Sequence, residues 1–171
     1  MPSIHVCSLS RVAATVAASG ASHLVTLLNT PVKRPRSIPA ERHLHLGIAD
    51  IISPIRGMTE PAEDHVQRLL DFVGEWDRTQ PMVMHCFAGI SRSTAGAYIA
   101  LCHLLPDRSE AEVAQRLRAA SAVASPNPRM IELADGIMGR DGRMVAAIEA
   151  IGLGALAFES DPFVLPIRDA E

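Results

Sequence analysis

The stretch Pro81-Met82-Val83-Met84-His85-Cys86-Phe87-Ala88-Gly89-Ile90-Ser91-Arg92-Ser93 leads from an apolar segment, through a short glycine-bearing loop, into the helical run Thr94 to Leu105. The pattern predicts a strand, a tight loop and a helix start. A loop in this position collects backbone N–H groups at the positive end of a helix dipole, which makes a site for a phosphate-sized anion. Cys86 would lie at its floor. The helix dipole and the nearby Arg92 guanidinium favour thiolate over thiol, as helix N-termini and neighbouring cations do for cysteines generally. Nucleophile and anion cradle therefore share one loop.

His85-Cys86, five intervening residues and then Arg92-Ser93 resemble the signature of the cysteine-based protein tyrosine phosphatases. Ala88-Gly89 together with Ser91-Arg92-Ser93 is most similar to the dual-specificity branch. The resemblance implies an α/β fold, with a central four- or five-stranded mainly parallel sheet flanked by helices, covering approximately Ile4 to Ala150. The catalytic loop would lie at the carboxyl ends of the strands. It also implies roles. Cys86 would attack phosphorus and form a phosphocysteine. Arg92 would grip two phosphate oxygens with its planar fork. The backbone amides of Phe87, Ala88, Gly89, Ile90, Ser91 and Arg92 would complete the cradle, with Gly89 allowing the tight turn. Ser93 would hydrogen-bond the cysteine sulfur and ease its departure, and His85 would brace the loop through a backbone hydrogen bond rather than act as a base. Neither a metal nor an organic cofactor is called for.

The family also uses an aspartate on a separate loop to protonate the leaving oxygen. Asp50 is the first candidate, because it ends a strand, precedes a loop and then a helix, and lies 36 positions before Cys86. Asp64, at the start of the following helix, is the second. The family's tryptophan-proline-aspartate signature is lacking. Two other readings compete: a rhodanese-like sulfurtransferase, whose cysteine loops differ in size, and a phosphate-binding pseudophosphatase. Relatives acting on highly charged inositol phosphates tend to carry basic residues in the loop interior, and this loop carries no lysine, so the resemblance implies a phosphorylated protein or a small phosphoester.

A chain of 171 residues, 48% apolar and 20% charged, has room for one domain with a full core. Residues 1–151 are expected to form the catalytic domain and 152–171 a tail, docked or partly disordered. The net charge of −3, with no long basic segment, argues against nucleic acid and an anionic membrane as main partners, and oligomeric state is left open. Three cysteines, Cys7, Cys86 and Cys102, have no metal-like or disulfide-like spacing. They point to a reducing, cytoplasmic setting. The short alanine-rich run Val12 to Ala18 reads as a helix rather than a secretory segment.

Along the chain, Ile4 to Leu9 alternates as a strand, and Ser10 is placed to cap a helix from Arg11 to Ser19. His23 to Leu28 is a buried strand. The proline-rich segment Thr30 to Glu41, with Lys33, Arg34 and Arg36, is a loop, either a solvated connector or a basic lip of the site. Arg42 to Ile48 alternates as a strand that projects His43 and His45 together. Two imidazoles without a third ligand make a weak metal site, so exposed strand histidines are the expectation. A helix over Thr59 to Trp76 should bury Val66, Leu69, Leu70 and Val73. Ser109 and Glu112 form a capping box, Asn127-Pro128 opens another helix, and Asp141 is the expected cap of Gly142 to Ile151. The C-terminal half is thus helical.

Overall fold

The computed structural model describes residues 2–168. Five strands, β1 Ser3–Ser8, β2 His23–Leu27, β3 His43–Leu46, β4 Met82–Cys86 and β5 Phe163–Pro166, form one sheet in the order β3-β2-β4-β1-β5. The first four are parallel neighbours and β5 pairs antiparallel with β1. Helices α1 Val12–Ser19, α2 Glu63–Glu75, α3 Arg92–Leu104, α4 Glu110–Ala120, α5 Pro128–Ile137 and α6 Arg143–Ile151 complete the α/β architecture expected from the sequence.

Strand alternation divides the core in two. Ile4, Val6, Val25, Leu27, Met82, Met84 and Cys86 face the larger layer, in which α2 buries the predicted stripe of Val66, Leu69, Leu70 and Val73. Cys7, Leu24 and Val83 face the other side, against Val12 and Val16 of α1 and against Ile38. α3 is buried from Arg92 to Cys102, because it packs directly on the sheet beneath the other helices. Burial pushes the thiol of Cys7 up to about 11 and that of Cys102 up to about 12, so both behave as small apolar core groups. Among the described residues no helix is long and apolar enough to cross a membrane.

Several local expectations needed correction. α2 begins at Glu63, four residues later than its charge pattern indicated, and Glu60 lies outside it. Ser10 caps nothing; its hydroxyl bonds the Glu159 carboxylate instead. Asp141 does not cap α6 either, since Gly142 occupies that position with φ 82°. The orphan amides are met by Asp135, whose carboxylate accepts from Gly142 N at 2.7 Å and Met144 N at 2.8 Å. The capping box of Ser109 and Glu112 and the cap by Asn127 both form.

The stretch from Gly152 runs back across the molecule. Gly154 N donates to Ser125 Oγ, Ala155 N to Ala122 O and Ser160 N to Ala88 O, each at 2.9 Å. The Glu159 carboxylate accepts from Ser8 and Ser10 hydroxyls. β5 then supplies the fifth strand, with Phe163 and Leu165 buried and Val164 exposed. The tail is an edge strand preceded by a strap that lies on the signature loop.

Candidate active site

β4 delivers Cys86 to the carboxyl edge of the sheet, and α3 starts six residues later at Arg92. The loop between them is held by its carbonyls. Phe87 O accepts from Leu9 N at 3.0 Å, Ala88 O from Ser160 N at 2.9 Å and Ile90 O from Ser125 N at 2.9 Å. Ser91 O accepts from Ala95 N at 3.0 Å and from Asn127 N at 3.3 Å. A trans peptide sets each carbonyl opposite the next residue's N–H. Bonding these carbonyls to the surrounding segments therefore turns the amides of Ala88, Gly89, Ser91 and Arg92 towards the loop's interior. Gly89 has φ 74°, and a Cβ there would lie 2.9 Å from Cys7 C and Ser8 N, so only glycine fits.

The Cys86 sulfur is buried and 3.1 Å from Ser93 Oγ. Arg92 is also buried; Nη1 donates to Ile48 O at 2.9 Å, and Nε has no hydrogen-bond partner. That bond ties α3 to the segment carrying Asp50, two residues beyond Ile48. Asp50 Oδ1 accepts from Ser91 Oγ at 2.7 Å and from Asn127 Nδ2 at 2.8 Å, which brings the carboxylate onto the signature loop. Asp64 lies elsewhere, exposed in the first turn of α2 and 4.0 Å from Arg68.

His85 lies on the opposite face of the sheet from Cys86. Its Nδ1 is 3.4 Å from Cys86 O, the backbone contact expected of it, but its shorter contact is Nε2 to Thr26 Oγ1 at 2.7 Å. Burial brings this imidazole down to about 4, so it is neutral at physiological pH. His43 and His45 do project together, with ring centroids 6.1 Å apart. Each is engaged in a hydrogen bond, to Thr26 Oγ1 at 2.8 Å and to Leu28 O at 2.9 Å respectively. Among the described residues no group of three metal-binding side chains occurs. Arg34 is turned back onto Ile38 O in its own loop.

Asn127, Ile48 and Thr26 were missed as site residues by sequence reasoning. Asn127 had a visible signal, but its helix-cap role accounted for it fully. Phe87, two-thirds exposed, lines a groove of about 340 Å³ beside the loop with Leu9, Ser10, Ala88, Phe158 and Glu159.

No protein-family model matches the chain, and no curated protein does. Solved structures do match. Human DUSP28 superposes with a TM-score of 0.63 at 19% identity, over 82% of this chain and 96% of that one. A mouse dual specificity phosphatase, described as putative and complexed with zinc tungstate, gives 0.64 at 16% identity over 86% and 91%. DUSP15 gives 0.63 at 16% identity over 88% and 92%. The fold is that of a dual-specificity phosphatase. Within that fold the loop from His85 to Ser93 occupies the turn from strand into buried helix, and the Asp50 segment and the Ser125 to Asn127 turn close around it.

Proposed function

We propose that the chain is a phosphoric monoester hydrolase of the dual-specificity phosphatase type, working through a phosphocysteine on Cys86. The observation that carries this reading is the buried Arg92 guanidinium, anchored through Nη1 and with Nε unpartnered, at the far end of the loop that starts from the buried Cys86 thiol. A buried charged donor without a partner is costly, and an oxygen of a bound phosphate would satisfy it. The amides of Phe87 to Arg92 would bind the remaining oxygens.

In the first step the Cys86 thiolate attacks phosphorus as the phosphorus–oxygen bond to the leaving group breaks. The departing oxygen takes a proton from Asp50. Ser91 Oγ and Asn127 Nδ2 both donate to Oδ1 of that carboxylate, so Oδ2 is the oxygen to carry the proton. In the second step water attacks the phosphocysteine, Asp50 accepts its proton, and the sulfur–phosphorus bond breaks to release inorganic phosphate. The Ser93 hydroxyl donates to the sulfur as it leaves. His85 braces the loop and transfers no proton. No metal enters either step.

The substrate is a phosphorylated protein or a small phosphoester whose leaving group would lie against Phe87. The sulfurtransferase reading is not favoured by the fold likeness, and the pseudophosphatase reading is not favoured by a site that keeps nucleophile, acid candidate and arginine together. The test is hydrolysis of an aryl phosphate, run beside sulfur transfer from thiosulfate. Hydrolysis should be lost in Cys86→Ser while tungstate still binds. Full activity in that variant, or sulfur transfer in place of hydrolysis, would overturn the proposal.

A further inference from the structure

We infer that Thr26 and His43 are positioning residues for the catalytic loop, acting through a one-way hydrogen-bond relay that fixes the tautomer of His85 and aims the Phe87 amide. The inference rests on the phosphatase reading for its consequence, although the relay itself can be tested without turnover.

The direction of the relay follows from counting protons. Cys86 O is a carbonyl and only accepts, so His85 Nδ1, in contact with it at 3.4 Å, carries a hydrogen. Burial keeps His85 neutral, so its Nε2 is bare. Nε2 must then accept the hydroxyl hydrogen of Thr26, 2.7 Å away. That uses the only hydrogen Thr26 Oγ1 has. The remaining contact, His43 Nε2 to Thr26 Oγ1 at 2.8 Å, is therefore donated by His43. The chain reads His43 N–H to Thr26 O–H to His85 N–H to Cys86 carbonyl, and each bond polarises the next in the same sense.

Sheet register explains why these residues meet. Thr26 pairs with His85 across β2 and β4, and Leu24 pairs with His43 across β2 and β3. Residues at alternate positions share a face, so all three side chains lie on the α1 side of the sheet, away from the reacting sulfur. His45 stacks on His43 and is itself tied to Leu28 O, which holds the outer end of the relay in place.

The consequence concerns the cradle's first amide. Backbone N–H groups hold the carbonyls of Phe87, Ala88, Ile90 and Ser91, and at the end of β4, where Cys86 pairs with Ser8, the ring of His85 meets Cys86 O. Because its carbonyl is opposite the Phe87 N–H in a trans peptide, orienting that carbonyl orients the amide that would bind the phosphate. A neutral imidazole has two tautomers, and only the Nδ1–H form can do this.

The wild-type protein is examined first by nitrogen-15 NMR of its histidines. His85 should show a protonated Nδ1 and a bare Nε2; the opposite tautomer would overturn the relay outright. Thr26→Val keeps the shape and removes the hydroxyl. It should mix the His85 tautomers, slow alkylation of Cys86 by iodoacetamide several-fold and lower kcat for an aryl phosphate about tenfold, the scale of one hydrogen bond. Thr26→Ser should restore all three. Wild-type tautomer and alkylation rate in Thr26→Val would sink the proposal. If that variant does not fold, His43→Phe serves, with the same alkylation readout in a smaller measure and no change at all counting against. Should the wild type hydrolyse no phosphoester, the NMR and alkylation results still decide the relay.

Discussion

Asn127 donates a 2.8 Å hydrogen bond from Nδ2 to Oδ1 of Asp50, while its own Oδ1 caps α5 by accepting from Met130 N at 3.1 Å. One side chain therefore ends a loop, starts a helix and holds the candidate acid. Ser91 Oγ bonds the same Asp50 oxygen, and Arg92 bonds Ile48 O two residues earlier, so the acid-bearing segment is tied to the signature loop at both places.

Protonation matters in proportion to the basicity of the oxygen that leaves, and general acid catalysis is typically worth about 10²–10⁴ in rate. Asp50→Asn should lose that order of activity on phenyl or tyrosyl phosphates and much less on activated esters. Asp64→Asn should lose little on either, since Asp64 is exposed beside Arg68. Steady-state rates across a leaving-group series check this. A loss in Asp50→Asn that is the same for every leaving group would make Asp50 a structural turn residue.

Ser93→Ala should slow hydrolysis of the phosphocysteine more than its formation, because a hydroxyl 3.1 Å from sulfur matters most when sulfur leaves. Rapid mixing should then show a burst of released alcohol. An unchanged steady rate without a burst would count against the role.

Gly89→Ala should disrupt the loop on two grounds. Its φ of 74° is strained for any residue with a Cβ, and the added carbon would meet β1 backbone at 2.9 Å. Backbone strain of this kind costs on the order of 1–3 kcal/mol. Tungstate affinity and Tm should both fall, with affinity falling further than in Ser93→Ala.

Stability should decline as the solution is acidified from about pH 6.5 towards 4. His85 is held down to about 4 by burial, against 6.5 when free, so the unfolded chain takes up a proton that the fold refuses. Unfolding is favoured as pH falls through that window, by about 3 kcal/mol once it is crossed. His5, His23, His43 and His65 are lowered in the same direction by burial. Replacing His85 by Gln should therefore shallow the dependence of Tm on pH without removing it. An unaltered slope would place His85 in a more solvated setting.

The strand-loop-helix unit around Cys86 was legible because everything that forms it is local. An apolar run, a glycine at a left-handed turn and a small-residue helix lie within one continuous stretch, where period and spacing report geometry directly. The capping box at Ser109 and the stripe of α2 were readable for the same reason. The start of α2 was misjudged, since Glu60 fits a first turn by charge alone, yet the chain through Pro61 and Ala62 stays outside the helix. Phe163 to Pro166 is four residues long, follows Pro162 and holds a second proline; it becomes a strand because β1 presents an edge for it to pair with.

The sequence by itself put Cys86, Arg92 and the backbone amides between them into one strand-to-helix turn, because a helix start and the loop before it are adjacent in the chain. Only the tertiary structure decided that Asn127 and Ser91 hold Asp50, that Ile48 anchors Arg92, and that His43 and Thr26 reach His85. Those partners are 17 to 77 positions apart, and their meeting depends on strand register and on how loops pack over the sheet edge. No pattern within a segment carries that information, because it is a relation between segments that exists only once the sheet has formed.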